Sequence, residues 1–253
     1  MANPSLHSAR LKLARSDHFL TDLRLWQNKW YEDDDVTLPT IELVPEIAED
    51  GREWWAGRLR ELPPIPERCG LVVGDAMHNA RCALDHLVTA LLALNDVCAT
   101  TQHQFPIYGP SPPNSAQRKT MERNLNGLKS EHADQIKAMQ PHLDPKADRS
   151  KRLMALAMLD NEDKHRQVHV GAVSLAYLNP GEVGEGIELI PAEPGFLTGE
   201  RPELFRISEE APYAVGFSLR PAFAQPSIDL GELIHIQRNA VSIVEGFAPA
   251  FGE

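Results

Sequence analysis

The residues of this chain best suited to chemistry lie in one run, Gly74-Asp75-Ala76-Met77-His78-Asn79-Ala80-Arg81-Cys82-Ala83-Leu84-Asp85-His86. At about 100° per residue, Met77, Ala80, Ala83, Leu84, Leu87, Val88 and Leu91 share one helical face. Asp75, His78, Asn79, Arg81, Cys82, Asp85 and His86 take the other. A solvated helix face is ordinarily built from Lys, Glu, Gln and Arg, which are good helix formers. No Lys and no Glu stands between Cys69 and Asn95. This face carries short carboxylates, imidazoles, an amide, a guanidinium and a thiol instead. Such groups position ligands, move protons or bind metal. The same set would also serve a helix whose His–Asp and Arg–Asp pairs only fix packing.

A second segment ends in similar chemistry. Over 147–166 the pattern is helical, and Leu153, Leu156, Asp160, Asp163 and Lys164 fall within one narrow arc. A stripe that begins apolar ends as Asp160-Asn161-Glu162-Asp163-Lys164-His165-Arg166. Either these groups meet something polar inside the protein, for which the polar face of the first helix is the obvious counterpart, or the helix runs out of the core into solvent.

Arg81 and His86 have the spacing Arg, four to six residues, His. The pair resembles the motif of the HEPN superfamily, helical-bundle domains many of which are metal-independent ribonucleases. The resemblance implies catalytic roles for Arg81 and His86, completed across a homodimer. The chemical need is clear. RNA cleavage by transfer to the 2′-OH requires an acid/base near neutral pH, which an imidazole supplies. It also requires a cation at the charge-rich phosphorane, which a guanidinium supplies through two parallel donors. Asp85, Asn79 and His78 would orient the pair, and Lys164, His165 and Arg166 would bind substrate. Where many members place a polar residue directly after the Arg, this chain has Cys82. The wider string also resembles a group of uncharacterised bacterial and phage-associated proteins, in which a GD-x-x-HN-x-R-x-ALDH helix is followed by a DKHR segment. Here these are Gly74 to His86 and Asp163 to Arg166. The resemblances set the leading expectation: an HEPN-like ribonuclease without a cofactor, in a toxin or phage-defence setting, acting on RNA.

Two other readings stand beside it. Asp75 and His78 lie one turn apart, and His78 and Asp85 two turns apart. With Asp160 and Asp163 they would make a transition-metal site of the kind facing helices build in bundles. His165 and His169 are further donors for such a shell. The third reading is a binding or assembly protein whose polar helix is a structural network.

Composition bounds these readings. The chain has 253 residues, ordinary apolar content and a net charge of -11. That is enough for one large domain with a sizeable core, and the whole surface will not draw nucleic acid by long-range field. Three cysteines, Cys69, Cys82 and Cys98, form no C-x-x-C and no zinc spacing, which suits a reducing cytoplasm. The first twenty residues lack the apolar core of a signal peptide, and the longest apolar run, 87–94, falls far short of a membrane span. There is no phosphate loop, no GxSxG elbow and no DNA-reading helix rich in Arg and Lys.

The elements that must position the chemistry follow in chain order. An amphipathic helix over 5–30 presents Leu13, Leu20, Leu23, Trp26 and Trp30. Strands are expected over 36–44 and 52–62, joined by 45–51. Pro66 opens the long helix over 66–94. Gly70 and Gly74 each cost it about 1 kcal/mol relative to Ala, and close approach by another helix would explain them; a start at Asp75 is the alternative. The Pro-rich loop 99–115 is either a lid or a crossing of the bundle end. Short helices over 116–126 and 131–139 are separated by Gly127. After the 147–166 helix, strands over 167–178, 186–190, 203–208 and 214–219 form an antiparallel meander. A helix over 229–247 closes the chain, with Asp229 as its cap. The expected architecture is a single α+β domain over 1–253: a helical bundle (about 1–30 and 66–166), an antiparallel β-sheet layer (about 36–62 and 167–220) and a C-terminal helix.

Overall fold

The computed structural model describes residues 4–32, 41–47, 51–61, 64–178, 187–189, 197, 202–208, 215–225 and 227–253. Among them are six α-helices: α1 (His7–Tyr31), α2 (Arg68–Ala93), α3 (Ser115–Asn124), α4 (Ser130–Ala138), α5 (Asp148–His165) and α6 (Leu230–Glu245). The strands are β1 (Ile41–Ile47), β2 (Glu53–Leu59), β3 (Val170–Leu178), β4 (Ile187–Leu189), β5 (Glu203–Ser208) and β6 (Val215–Phe223). The fold class is α+β, a helical bundle with antiparallel sheet, as the pattern predicts. No helix among the described residues is long and apolar enough to cross a membrane.

The chain forms two compact units. The first comprises Met1–Thr21, Leu71–Val168 and Gly231–Glu253, the second Asp22–Gly70 and His169–Leu230. The first is helical. Its core is lined by the face of α2 read from the sequence: Met77, Ala80, Ala83, Leu84, Leu87, Val88 and Leu91 are all fully buried. Leu153, Leu156 and Leu159 of α5 are buried in the same unit, as are Leu233, Ile236, Ile243 and Val244 of α6. The apolar stripe of each helix is therefore what drives it into the bundle, since isolated helices of this length gain most of their stability from packing. Helix α2 starts at Arg68 and runs without interruption, so the alternative start at Asp75 is not used. Gly127 sits at φ +89° between α3 and α4, a left-handed turn that glycine enters without steric cost. Asn114 caps α3, accepting from the Gln117 backbone while the Gln117 side chain returns the bond.

The second unit holds the strands, and here the expected meander is corrected. Among the described residues one sheet has four strands in the order β1-β2-β5-β4, the other pairs β3 with β6, and each of these pairings is antiparallel. Strands adjacent in sequence after α5 do not all pair with one another, because β5 joins β2 and β6 returns to β3. Short Pro/Gly connections suggest hairpins, but loop length does not choose the partner strand. Pro45 lies inside β1, within a segment expected to be a connection; β1 is an edge strand, where a missing N–H breaks no ladder bond on the open side. Expected strand residues 36–40 lie outside the described residues. The apolar cluster of this unit is Trp30, Leu59, Leu197, Leu204, Phe205, Ile207 and Leu219, with Trp55 packed against it. Gly57 faces the Phe205 ring so closely that a Cβ would overlap it.

Candidate functional site

The polar face of α2 divides into three hydrogen-bonded groups, all within the helical unit. The first is a latch. Arg81 Nη1 donates to Asp85 Oδ1 at 2.7 Å, one helical turn away, and Nη2 donates to the Phe105 carbonyl at 2.8 Å. The Phe105 N–H in turn donates to Asp85 Oδ1 at 2.8 Å. The Arg81 side chain is only 14% exposed and the Phe105 ring is fully buried. The loop expected over 99–115 is thus pinned to α2 by two bonds, through both backbone polar groups of Phe105. Pro106 O and the Tyr108 N–H extend the hold through the buried Gln140 side chain. Of the two readings for this loop, an anchored crossing fits the geometry.

The second group lies along α1. Ser8 Oγ and His86 Nδ1 are 2.6 Å apart, and Lys12 Nζ donates to Asn79 Oδ1 at 3.4 Å. Asn79 Nδ2 donates to the Asp75 carbonyl on its own helix. Burial lowers the His86 pKa below the ordinary imidazole range, and the Lys12 ammonium lowers it further, against the opposing pull of Asp85.

The third group connects α2 to α5. His78 Nδ1 lies 2.8 Å from Asp160 Oδ1, and Lys164 Nζ donates to Asp160 Oδ2 at 2.6 Å. The Asp160 side chain is 6% exposed, those of His78 and Lys164 42% and 50%. A carboxylate that already accepts from Lys164 is an acceptor for His78 as well, so the proton of that bond belongs to Nδ1. In the neutral ring this leaves Nε2 with its lone pair, and Nε2 is 3.4 Å from Cys82 Sγ. Burial raises the Cys82 thiol pKa, and Asp85 and Asp160 add to the rise while Lys12 and Arg81 oppose it.

Both outcomes open in the sequence occur in part: Asp160 and Asp163 meet the first helix, while the helix end at His165 and Arg166 runs out into solvent. A Cβ on Gly74 would overlap the Asp163 carboxylate, so the missing side chain lets α5 approach α2 here. Burial raises the Asp163 pKa; Asp75 and Asp160 also push it up, while His78 and Lys164 pull it down. Lys164 joins the site through Asp160, whereas His165 and Arg166 are exposed at the helix end.

Arg81 and His86 have different hydrogen-bond partners: Asp85 and the Phe105 carbonyl for Arg81, Ser8 for His86. Asp85 belongs to the latch rather than to either histidine's ring. Among the described residues, no group of three or more His, Cys, Asp or Glu side chains is disposed to hold a metal ion. Asp160, the most buried of the metal candidates, spends one oxygen on Lys164 and the other on His78. Cys82 is the member of the site that residue-type reasoning passed over as a donor. The signal for it was present, since His78 and Cys82 are four residues apart and hence neighbours on one helix face. Comparisons with protein-family models, with curated proteins and with solved structures give no match.

Proposed function

We propose that the polar face of α2 is a metal-independent acid–base site, and that the cleavage of RNA expected from the HEPN-like spacing proceeds through His78. One observation carries this reading. A half-exposed imidazole is oriented by a buried carboxylate, with His78 Nδ1 2.8 Å from Asp160. A buried acceptor behind an open imidazole fixes the tautomer and stabilises the charged form during proton transfer. Lys164, bonded to the same Asp160, and Lys12, bonded to Asn79 on the same face, supply positive charge, the role a phosphorane requires. Arg81 serves here as the anchor of the 105 loop, because its donors are committed to Asp85 and Phe105. His86 stands as a second imidazole, its pKa lowered by burial and Lys12 against the pull of Asp85.

The test is cleavage of a fluorescent single-stranded RNA in the presence of chelator. His78→Ala is expected to lower the rate by about 100-fold or more, with His86→Ala less affected. Full cleavage in His78→Ala, or none in wild type, would sink the reading. A second, non-catalytic reading is favoured by the latch: with Arg81, Asp85 and Phe105 satisfying one another, part of this face is a structural network. It expects no RNA cleavage and a loss of stability when Asp85 is removed.

A further inference from the structure

We infer that Cys82, His78 and Asp160 form a nucleophilic thiol site that accepts an acyl group from a carboxylic ester or thioester. The inference shares His78 with the reading above but concerns a different nucleophile and a covalent product. Three residues from two helices line up in the order thiol, imidazole, carboxylate. Cys82 Sγ is 3.4 Å from His78 Nε2, and His78 Nδ1 is 2.8 Å from Asp160 Oδ1. The carboxylate end is buried and the imidazole is 42% exposed. This is the gradient an activated nucleophile needs: a fixed orienting group inside and a reactive atom within reach of solvent.

The arrangement is specific to this one thiol. Cys69 is buried, and burial pushes its thiol up to about 11. Cys98 is exposed. Cys82 lies between these extremes and has an imidazole lone pair aimed at it. Burial and two carboxylates keep the resting thiol protonated, so the fitting chemistry is general-base attack rather than a standing thiolate. In the step, the S–H proton passes to His78 Nε2 as Sγ bonds to the acyl carbon. The tetrahedral adduct expels the alkoxide or thiolate, which takes the proton from the imidazolium and leaves as alcohol or thiol. Water then attacks the S-acyl group, giving its proton to His78. The C–S bond breaks, the thiol is restored and a carboxylic acid departs. Lys12, which donates to Asn79 and acts electrostatically on Cys82, provides positive charge on the same face for the oxyanion.

The experiment treats the intact protein with p-nitrophenyl acetate. Nitrophenolate release is followed by absorbance, and the adduct is located by peptide mass spectrometry. Acetylation is expected first at Cys82, to be absent in Cys82→Ser digests, and to slow by about 100-fold in His78→Gln. Faster labelling of Cys98 than of Cys82, or equal Cys82 labelling in His78→Gln, overturns the inference. A wild-type measurement guards against a misfolded variant: the pH profile of Cys82 acetylation relative to Cys98. Facing His78 are Asp160, Asp163, Lys164 and Cys82; facing Cys82 are also Lys12, Arg81 and Asp85. A Cys82 rate that rises at lower pH than the Cys98 rate is expected; parallel profiles overturn the inference. The readout is a covalent adduct, so failure of RNA cleavage leaves it standing, and failure of the adduct leaves RNA cleavage standing.

Discussion

Two parts of one helix face use nearly the same residue types to opposite ends. At Arg81, an Asp and a basic group are paired on α2 and both are turned onto the Phe105 backbone. At His78, an Asp and a basic group are paired between α5 and α2, but the basic group keeps one side open. The Arg81 donors named above are spent within the protein and its side chain is 14% exposed; His78 is 42% exposed and presents Nε2 to a thiol. The first arrangement fixes a loop. The second stores an oriented lone pair. Burial of the tip, rather than the presence of an ion pair, separates scaffold from site.

That contrast is broken most directly at Asp85. Asp85→Ala strands a mostly buried guanidinium and the Phe105 N–H, so a loss of about 3 kcal/mol is expected in urea unfolding. A loss below about 0.5 kcal/mol would mean that the latch holds nothing.

Asp160→Ala sharpens the comparison. It removes a more deeply buried carboxylate, yet its two partners, His78 and Lys164, already reach water. The expected loss is about 1 kcal/mol, smaller than for Asp85 despite the deeper burial. A larger loss than Asp85→Ala would reverse the assignment of scaffold and site.

The smallest effect is a pH dependence at His86. Its folded pKa is depressed by burial and Lys12, so the folded state releases this proton more readily than the unfolded chain. Its stabilising contribution is therefore present above the unfolded imidazole value and is lost as pH falls through the folded one. Between about pH 8 and about pH 5, wild type should lose melting temperature more steeply than His86→Gln. Equal slopes would show that the Ser8–His86 contact leaves the imidazole as free to charge as in the unfolded chain.

Much of the architecture was legible because it follows from periodicity. The seven apolar residues assigned to one face of α2 are all buried, and the break at Gly127 falls where the chain needs a positive φ. Gly74 was readable as a close approach, and Asp163 is what approaches. The pairing of β3 with β6 and of β5 with β2 was not legible, since alternation reports a strand without naming its neighbour. Asp160 could be placed on the core stripe of α5, but nothing in its spacing selected His78 as its partner.

The sequence by itself determined that a helix with an apolar face and an unusual polar face would form, because helical repeat and side-chain polarity act within one segment. Only the tertiary structure decided which polar groups became scaffold and which stayed open. That choice depends on what packs above each one: the Phe105 backbone closes over Arg81, while Asp160 comes in beneath His78 and leaves its other nitrogen facing Cys82.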